Sequence, residues 1–141
     1  MTLLYFAFAS NMDAAQMAER CYGAECLGTA TLADHRFAIG RRGYATVIPE
    51  IGASVNGVLW GLDPRHEVAL DVYEGIRHGL YRKAVLPVRT AAGDAREALV
   101  YVAGDPTTGK AVRGYVEKVV AAAEHHALPA AYIAELKGWL P

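Results

Sequence analysis

The sequence predicts an α+β domain of roughly six strands flanked by helices. Three observations lead there. Short runs rich in β-branched and aromatic residues are set off by glycine and proline, helix signals interleave with them without a linker, and the order is too irregular for a doubly wound parallel sheet. With 141 residues, 53% of them hydrophobic, one domain spanning 1–141 can bury a core without disulfides or metals.

Residues 3–8 (LLYFAF) read as a buried strand and 12–20 as a helix, with Ser10 and Asn11 placed to cap it. Residues 27–40 read as one or two strands with weak alternation. Residues 44–48 and 55–62 read as further strands, separated by a turn at Pro49, Glu50, Ile51 and Gly52. Asp63 and Pro64 start a helix, because aspartate can accept hydrogen bonds from the free first-turn amides and proline suits the first helical position. That helix runs to Glu74, and Gly75 supplies the left-handed residue that closes it. Residues 81–90 and 97–103 form a hairpin around Ala92, Gly93 and Asp94. Apolar residues at 112, 115, 116, 119, 120 and 123 predict a helix over 112–126, and Pro129 opens a last short helix ending near Gly138.

Charge and composition exclude several classes. A balance of 14 Lys and Arg against 15 Asp and Glu gives −1, which leaves no basic footprint for nucleic acid or an anionic membrane. A small neutral or anionic ligand is the expected partner. No apolar run reaches the length of a membrane span. Ala7, Phe8 and Ala9 have the small-x-small spacing of a signal cleavage site. No positive charge precedes them and the apolar run is short, so a cytoplasmic location is expected. Cys21 and Cys26 fit free thiols in a reducing compartment. His125 and His126 are adjacent on a helix and point in different directions, so no metal site is expected.

Glu74 stands out on physical grounds alone. A carboxylate in the last turn of a helix faces the negative end of the macrodipole, where lysine or arginine would be favoured. If it is also tucked into a pocket beside Tyr73 and Tyr81, loss of water raises its pKa further, which is how a glutamate becomes a general base. The plain alternative is an exposed acid that tolerates a mild penalty.

Gly104 to Lys110 satisfies the phosphate-loop spacing G-x-x-x-x-G-K between a predicted strand and a predicted helix. Ala111 stands where the metal-binding Ser or Thr belongs, Pro106 removes a backbone donor, and no strand follows the helix. A turn-rich connection is expected there rather than a nucleotide site.

The segment "YFAFASNM" resembles the "YFAYGSN" loop of the γ-glutamylcyclotransferase-like family, and "LDVYEGIRHGLYRKAVLPV" is similar to its "LD-x-x-EG-x-x-x-G-x-Y" acid segment. Further likeness lies in "GYATV" (43–47), "VNGVLWGL" (55–62) and "ALPAAYIAEL" (127–136), in the expected order along nearly the whole chain. The resemblance implies a small mixed β-barrel flanked by helices and a cavity for a γ-glutamyl group. It implies release of 5-oxoproline by attack of the γ-glutamyl α-amine on its own side-chain amide carbonyl. The family's catalytic acid falls on Glu74 and its substrate loop on Phe8, Ala9, Ser10 and Asn11, while cavity-lining tyrosines match Tyr81, Tyr101 and Tyr115. No cofactor is implied, and a homodimer is compatible with the reading. The alternatives are a binding protein that keeps the γ-glutamyl cavity without this activity, and a cyclotransferase acting on a different γ-glutamylated metabolite.

Two departures bear on substrate preference. Phe8 stands where the family often has Tyr, and Ala9 where it has Gly. Ala9 adds a methyl at a close approach and would be strained if its φ were positive.

Overall fold

In the computed structural model, which describes residues 2–141, five strands close into a mixed barrel with four helices around it among the described residues. The elements in chain order are β1 (Leu3–Ala7), a 3-10 turn (Ser10–Met12), α1 (Ala14–Arg20), β2 (Glu25–Ile39), β3 (Ala45–Leu62) and α2 (Pro64–Tyr73). A second 3-10 turn (Ile76–His78), β4 (Tyr81–Thr90), β5 (Ala95–Ala103), α3 (Tyr115–His125) and α4 (Ala130–Lys137) complete the chain. Around the barrel the order is β1, β3, β2, β4, β5. Every neighbour is antiparallel except β1 and β5, which close the barrel in parallel at Tyr5 and Leu99. Phe6, Leu32, Val55, Val58, Val88 and Val100 are buried within it, and burying such a side chain contributes about 1.5–3 kcal/mol.

The count of strands differs from the sequence expectation for one reason. Pro49 to Gly52 is not a turn: β3 runs straight through it and stays paired with β2, with His35 opposite Pro49. Glycine and proline mark a β-bulge as well as a turn, and register shifts fall at 26/29 and 33/35 on β2, where Asp34 accepts the Gly52 N–H at 3.0 Å. Of residues 27–40, all but Gly40 likewise lie in one strand, β2.

Helix limits follow the caps. Asp13 caps α1 by accepting the Gln16 N–H at 2.9 Å, so Ser10 and Asn11 are not the caps and the α-helix starts at Ala14 rather than at 12. α3 begins at Tyr115, not 112, because Gly114 is left-handed and the Val112 N–H is bound to Gly43 O at 3.0 Å.

α2 is built as read. The Asp63 carboxylate accepts from the Arg65 and His66 amides, Pro64 follows, and Gly75 is left-handed with φ 62°. His66 returns the bond: its Nδ1 accepts the Asp63 N–H at 3.0 Å, which leaves Nε2 as the donor to Tyr22 O at 2.7 Å. That contact ties the start of α2 to the α1–β2 connection.

Candidate active site

One end of the barrel opens into a cavity of about 370 Å³, and all eight residues singled out from the sequence line it: Phe8, Ala9, Ser10, Asn11, Glu74, Tyr81, Tyr101 and Tyr115. Each reaches it by a different route. β1 delivers the 8–11 loop, α2 ends at Glu74, β4 starts at Tyr81, β5 carries Tyr101, and α3 starts at Tyr115.

Glu74 is the C-cap of α2, and its N–H bonds Leu70 O at 2.8 Å. Gly75 has to be glycine here, since a Cβ would meet Leu80 Cδ1 at 2.6 Å and the positive φ disfavours any other residue. The chain therefore turns sharply after Glu74 and leaves its side chain on the cavity wall. Among the described residues no hydrogen bond or ion pair reaches the Glu74 carboxylate. Burial pushes its pKa up from 4.5 to about 7, against the opposing pull of Arg20.

Four tyrosines surround this acid, and all four have their pKa raised, first by burial and also by the Glu74 charge. Tyr115 is pushed up to about 12, and Tyr5, Tyr81 and Tyr101 higher still. They are neutral hydroxyls throughout the physiological range. Their protons are not equally free. Tyr81 donates to Ala45 O at 2.6 Å and Tyr101 to Asp71 Oδ1 at 2.7 Å, so toward a ligand these two can act only as acceptors. Tyr5 accepts from Asn11 Nδ2 at 3.0 Å, and its own proton has no acceptor among the described residues.

Asn11 holds the loop rather than capping a helix. Its Oδ1 accepts from Gln16 Nε2 at 2.8 Å and from Arg20 Nη1 at 3.1 Å, and its carbonyl accepts from Trp60 Nε1 at 3.0 Å. Gln16 Nε2 also reaches Ser10 Oγ at 2.8 Å, and Lys118 Nζ donates to Gln16 Oε1. The first backbone bond of the 3-10 turn runs from Met12 N–H to Ala9 O, which leaves the Ser10 and Asn11 amides outside the turn's own bonding.

The two departures are accommodated. Ala9 has φ −134°, so the conditional strain does not arise. Phe8 is buried, its ring 6.3 Å from Phe6 and 6.5 Å from Phe37, where a hydroxyl would have to find a partner.

Tyr73, expected beside Glu74, also lines the cavity, and sequence reasoning missed Tyr5, Gln16, Arg20, Arg42, Tyr44 and Lys118, which line it too. For Gln16 and Arg20 a signal was present: four residues apart, they share one face of α1, directly after the loop they brace. The 104–110 segment lies outside the cavity. Asp105 Oδ1 holds the Thr107 N–H at 2.9 Å, Gly104 N–H bonds Leu80 O at 3.0 Å, and Gly109 N–H bonds Ile39 O at 3.0 Å. Three of the segment's amides are thus engaged within the protein rather than turned to a ligand.

The fold is γ-glutamylcyclotransferase-like. A solved γ-glutamyl cyclotransferase superposes with a TM-score of 0.92 at 24% identity, over 100% of this chain and 89% of that one. The sequence agrees: residues 54–136 match the model of the AIG2-like family, and the chain belongs to that family. The γ-glutamylcyclotransferase of Mus musculus is 26% identical over 99% of this chain and 80% of its own length. That of Homo sapiens is 25% identical over the same shares. No helix among the described residues is long and apolar enough to cross a membrane.

Proposed function

We propose that this protein is a cytoplasmic γ-glutamylcyclotransferase that releases 5-oxoproline from a γ-glutamyl amino acid or amine, with Glu74 as general acid and base. The observation that carries this reading is a carboxyl with no hydrogen bond or ion pair among the described residues, raised to about 7, on the wall of a cavity that also carries neutral hydroxyls and cations. Such a group is suited to proton transfer near neutral pH.

The chemistry follows from the geometry. The substrate's α-ammonium must lose a proton before it attacks, and with an amine pKa of about 8 an ordinary glutamate would leave a mismatch of about 5 kcal/mol. At about 7 the mismatch falls to about 1–2 kcal/mol. Glu74 takes the proton and the amine nitrogen bonds to the side-chain amide carbon. The carbonyl oxygen gains negative charge, for which Tyr5 OH and the loop amides are the available donors. The tetrahedral centre collapses with cleavage of the original C–N bond as Glu74 returns its proton to the departing nitrogen. Glu74 then takes the second proton from the attacking nitrogen, which leaves a neutral lactam, and passes it to the released amine, which departs as its ammonium. Atoms balance with no water and no second substrate, and the reaction gains the proximity of an intramolecular attack. The acceptor oxygens of Tyr81 and Tyr101 suit the ammonium before it is deprotonated.

The test is direct. The pure protein is incubated with a panel of γ-glutamyl amino acids and γ-glutamyl amines, and 5-oxoproline is followed by mass spectrometry. Release from at least one member is expected; release from none refutes the activity.

A further inference from the structure

We infer that Arg42 binds a carboxylate on the leaving half of the substrate, so that γ-glutamyl amino acids with a free α-carboxylate are preferred over γ-glutamyl amines. This rests on the cyclotransferase reading and narrows its substrate class.

A second hollow of about 280 Å³ adjoins the Glu74 cavity and shares Arg42, Tyr44, Leu80 and Tyr81 with it. With the γ-glutamyl amine placed at Glu74 in the first space, the second is the adjoining room open to what is attached to its side-chain carbonyl. The cations of the walls differ in what they hold. Arg20 is bound to Asn11 and lies over the Tyr73 ring at 4.5 Å, and Lys118 is bound to Gln16. Arg41 pairs with Asp105 at 3.5 Å. Arg42 makes no hydrogen bond or ion pair among the described residues. It lines both spaces together with Tyr81, so it stands where the two meet.

The turn that carries Arg42 is held from both sides. Gly40 N–H bonds Tyr44 O at 2.8 Å and Gly43 N–H bonds Gly40 O at 3.0 Å. From the other side Gly109 N–H bonds Ile39 O at 3.0 Å, Val112 N–H bonds Gly43 O at 3.0 Å, and Gly40 pairs with Thr108. The approach is close enough that a Cβ on Gly109 would stand 2.9 Å from Gly40 O. The segment with phosphate-loop spacing therefore acts as a bracket for an arginine turn. A guanidinium on a fixed backbone loses less freedom on binding than one on a mobile loop. It also offers a planar fork that fits a carboxylate. A γ-glutamyl amino acid presents two carboxylates where a γ-glutamyl amine presents one, and Arg42 answers the second.

The experiment compares γ-glutamyl-alanine with γ-glutamyl-alaninamide, equal in shape and different in charge, by the ratio of their kcat/KM values. In the wild type the acid is expected to be favoured about tenfold, the effect of a charge-assisted contact at an exposed rim. In Arg42→Gln the ratio falls to about one, through KM for the acid, and added salt no longer changes it. Arg42→Lys keeps part of the preference. A wild-type ratio near one, or equal losses for both compounds in Arg42→Gln, overturns the assignment and leaves the cyclotransferase reading in place. Absence of 5-oxoproline from both compounds overturns the two together.

Discussion

The two ends of α2 each carry a carboxylate, and they are treated in opposite ways. At the N-terminus Asp63 loses water too, which raises its pKa, but its partners outweigh that loss. The His66 amide, then Arg65 and the capped helix end, hold its carboxyl below the ordinary value. One turn from the other end Asp71 is likewise occupied, by Tyr101 OH at 2.7 Å and Lys83 Nζ at 3.1 Å. At the C-terminus Glu74 meets the negative end of the helix, half-buried and unpartnered, and its pKa rises to about 7. The first acid is placed for stability; the last is placed at its expense. The difference teaches that an acid's role on a helix is legible from which end it occupies and whether anything answers its charge.

The hardest way to break this comparison is to remove the charge that α2 tolerates. Glu74→Gln keeps the size and loses the base, so turnover on any accepted γ-glutamyl substrate should fall about 100- to 10,000-fold. Affinity, measured by calorimetry, should persist, since the loop at Ser10 and Asn11 is unaltered. Turnover near wild type would show that Glu74 is not the base; a matching collapse of affinity would make it a recognition residue.

The same substitution should stabilise the fold. Because the folded pKa is raised, the native protein binds more protons than the unfolded chain between about 4.5 and about 7. Wild-type stability therefore falls as pH rises through that window. At pH 8 Glu74→Gln should be more stable by about 1–3 kcal/mol, allowing for partial exposure, and at pH 4.5 the two should coincide. Urea melts at both pH values check this. A gain of equal size at both would point to packing rather than charge.

The opposite end should give the opposite sign and a smaller effect. Asp63→Ala loses the cap and should lower Tm by about 2–4 °C at pH 7. Because the Asp63 pKa is lowered in the fold, that deficit should shrink in acid. Thermal melts at pH 7 and pH 3 measure it, and turnover well below Tm should stay close to wild type.

What the sequence disclosed was local. Asp63, Pro64 and Gly75 announce their helix because caps depend on neighbours two or three residues away, and Glu74 is conspicuous because it violates the rule for that end. The 49–52 turn was misread because glycine and proline serve a bulge equally well, and only pairing with β2 distinguishes the two. Arg42 and Lys118 could not be found at all. They arrive at the cavity from 32 residues before and 44 residues after Glu74, brought there by barrel closure and by α3 packing on the 8–11 loop. Tyr5 read as a strand residue of the core, and its free hydroxyl proton becomes visible only once Asn11 is seen to occupy the oxygen.

The central claim is that the Glu74 carboxyl, unlike Asp63, titrates near neutrality because burial takes away its water and no hydrogen bond or ion pair among the described residues replaces it, the more distant charge of Arg20 offsetting only part of the rise. Carbon-13 NMR of protein labelled at the glutamate side-chain carboxyl carbon follows it directly, with the Glu74→Gln spectrum assigning the signal. The account predicts an inflection at about pH 7. An inflection near the ordinary 4.5 would mean that the cavity solvates the carboxylate fully, and would contradict it.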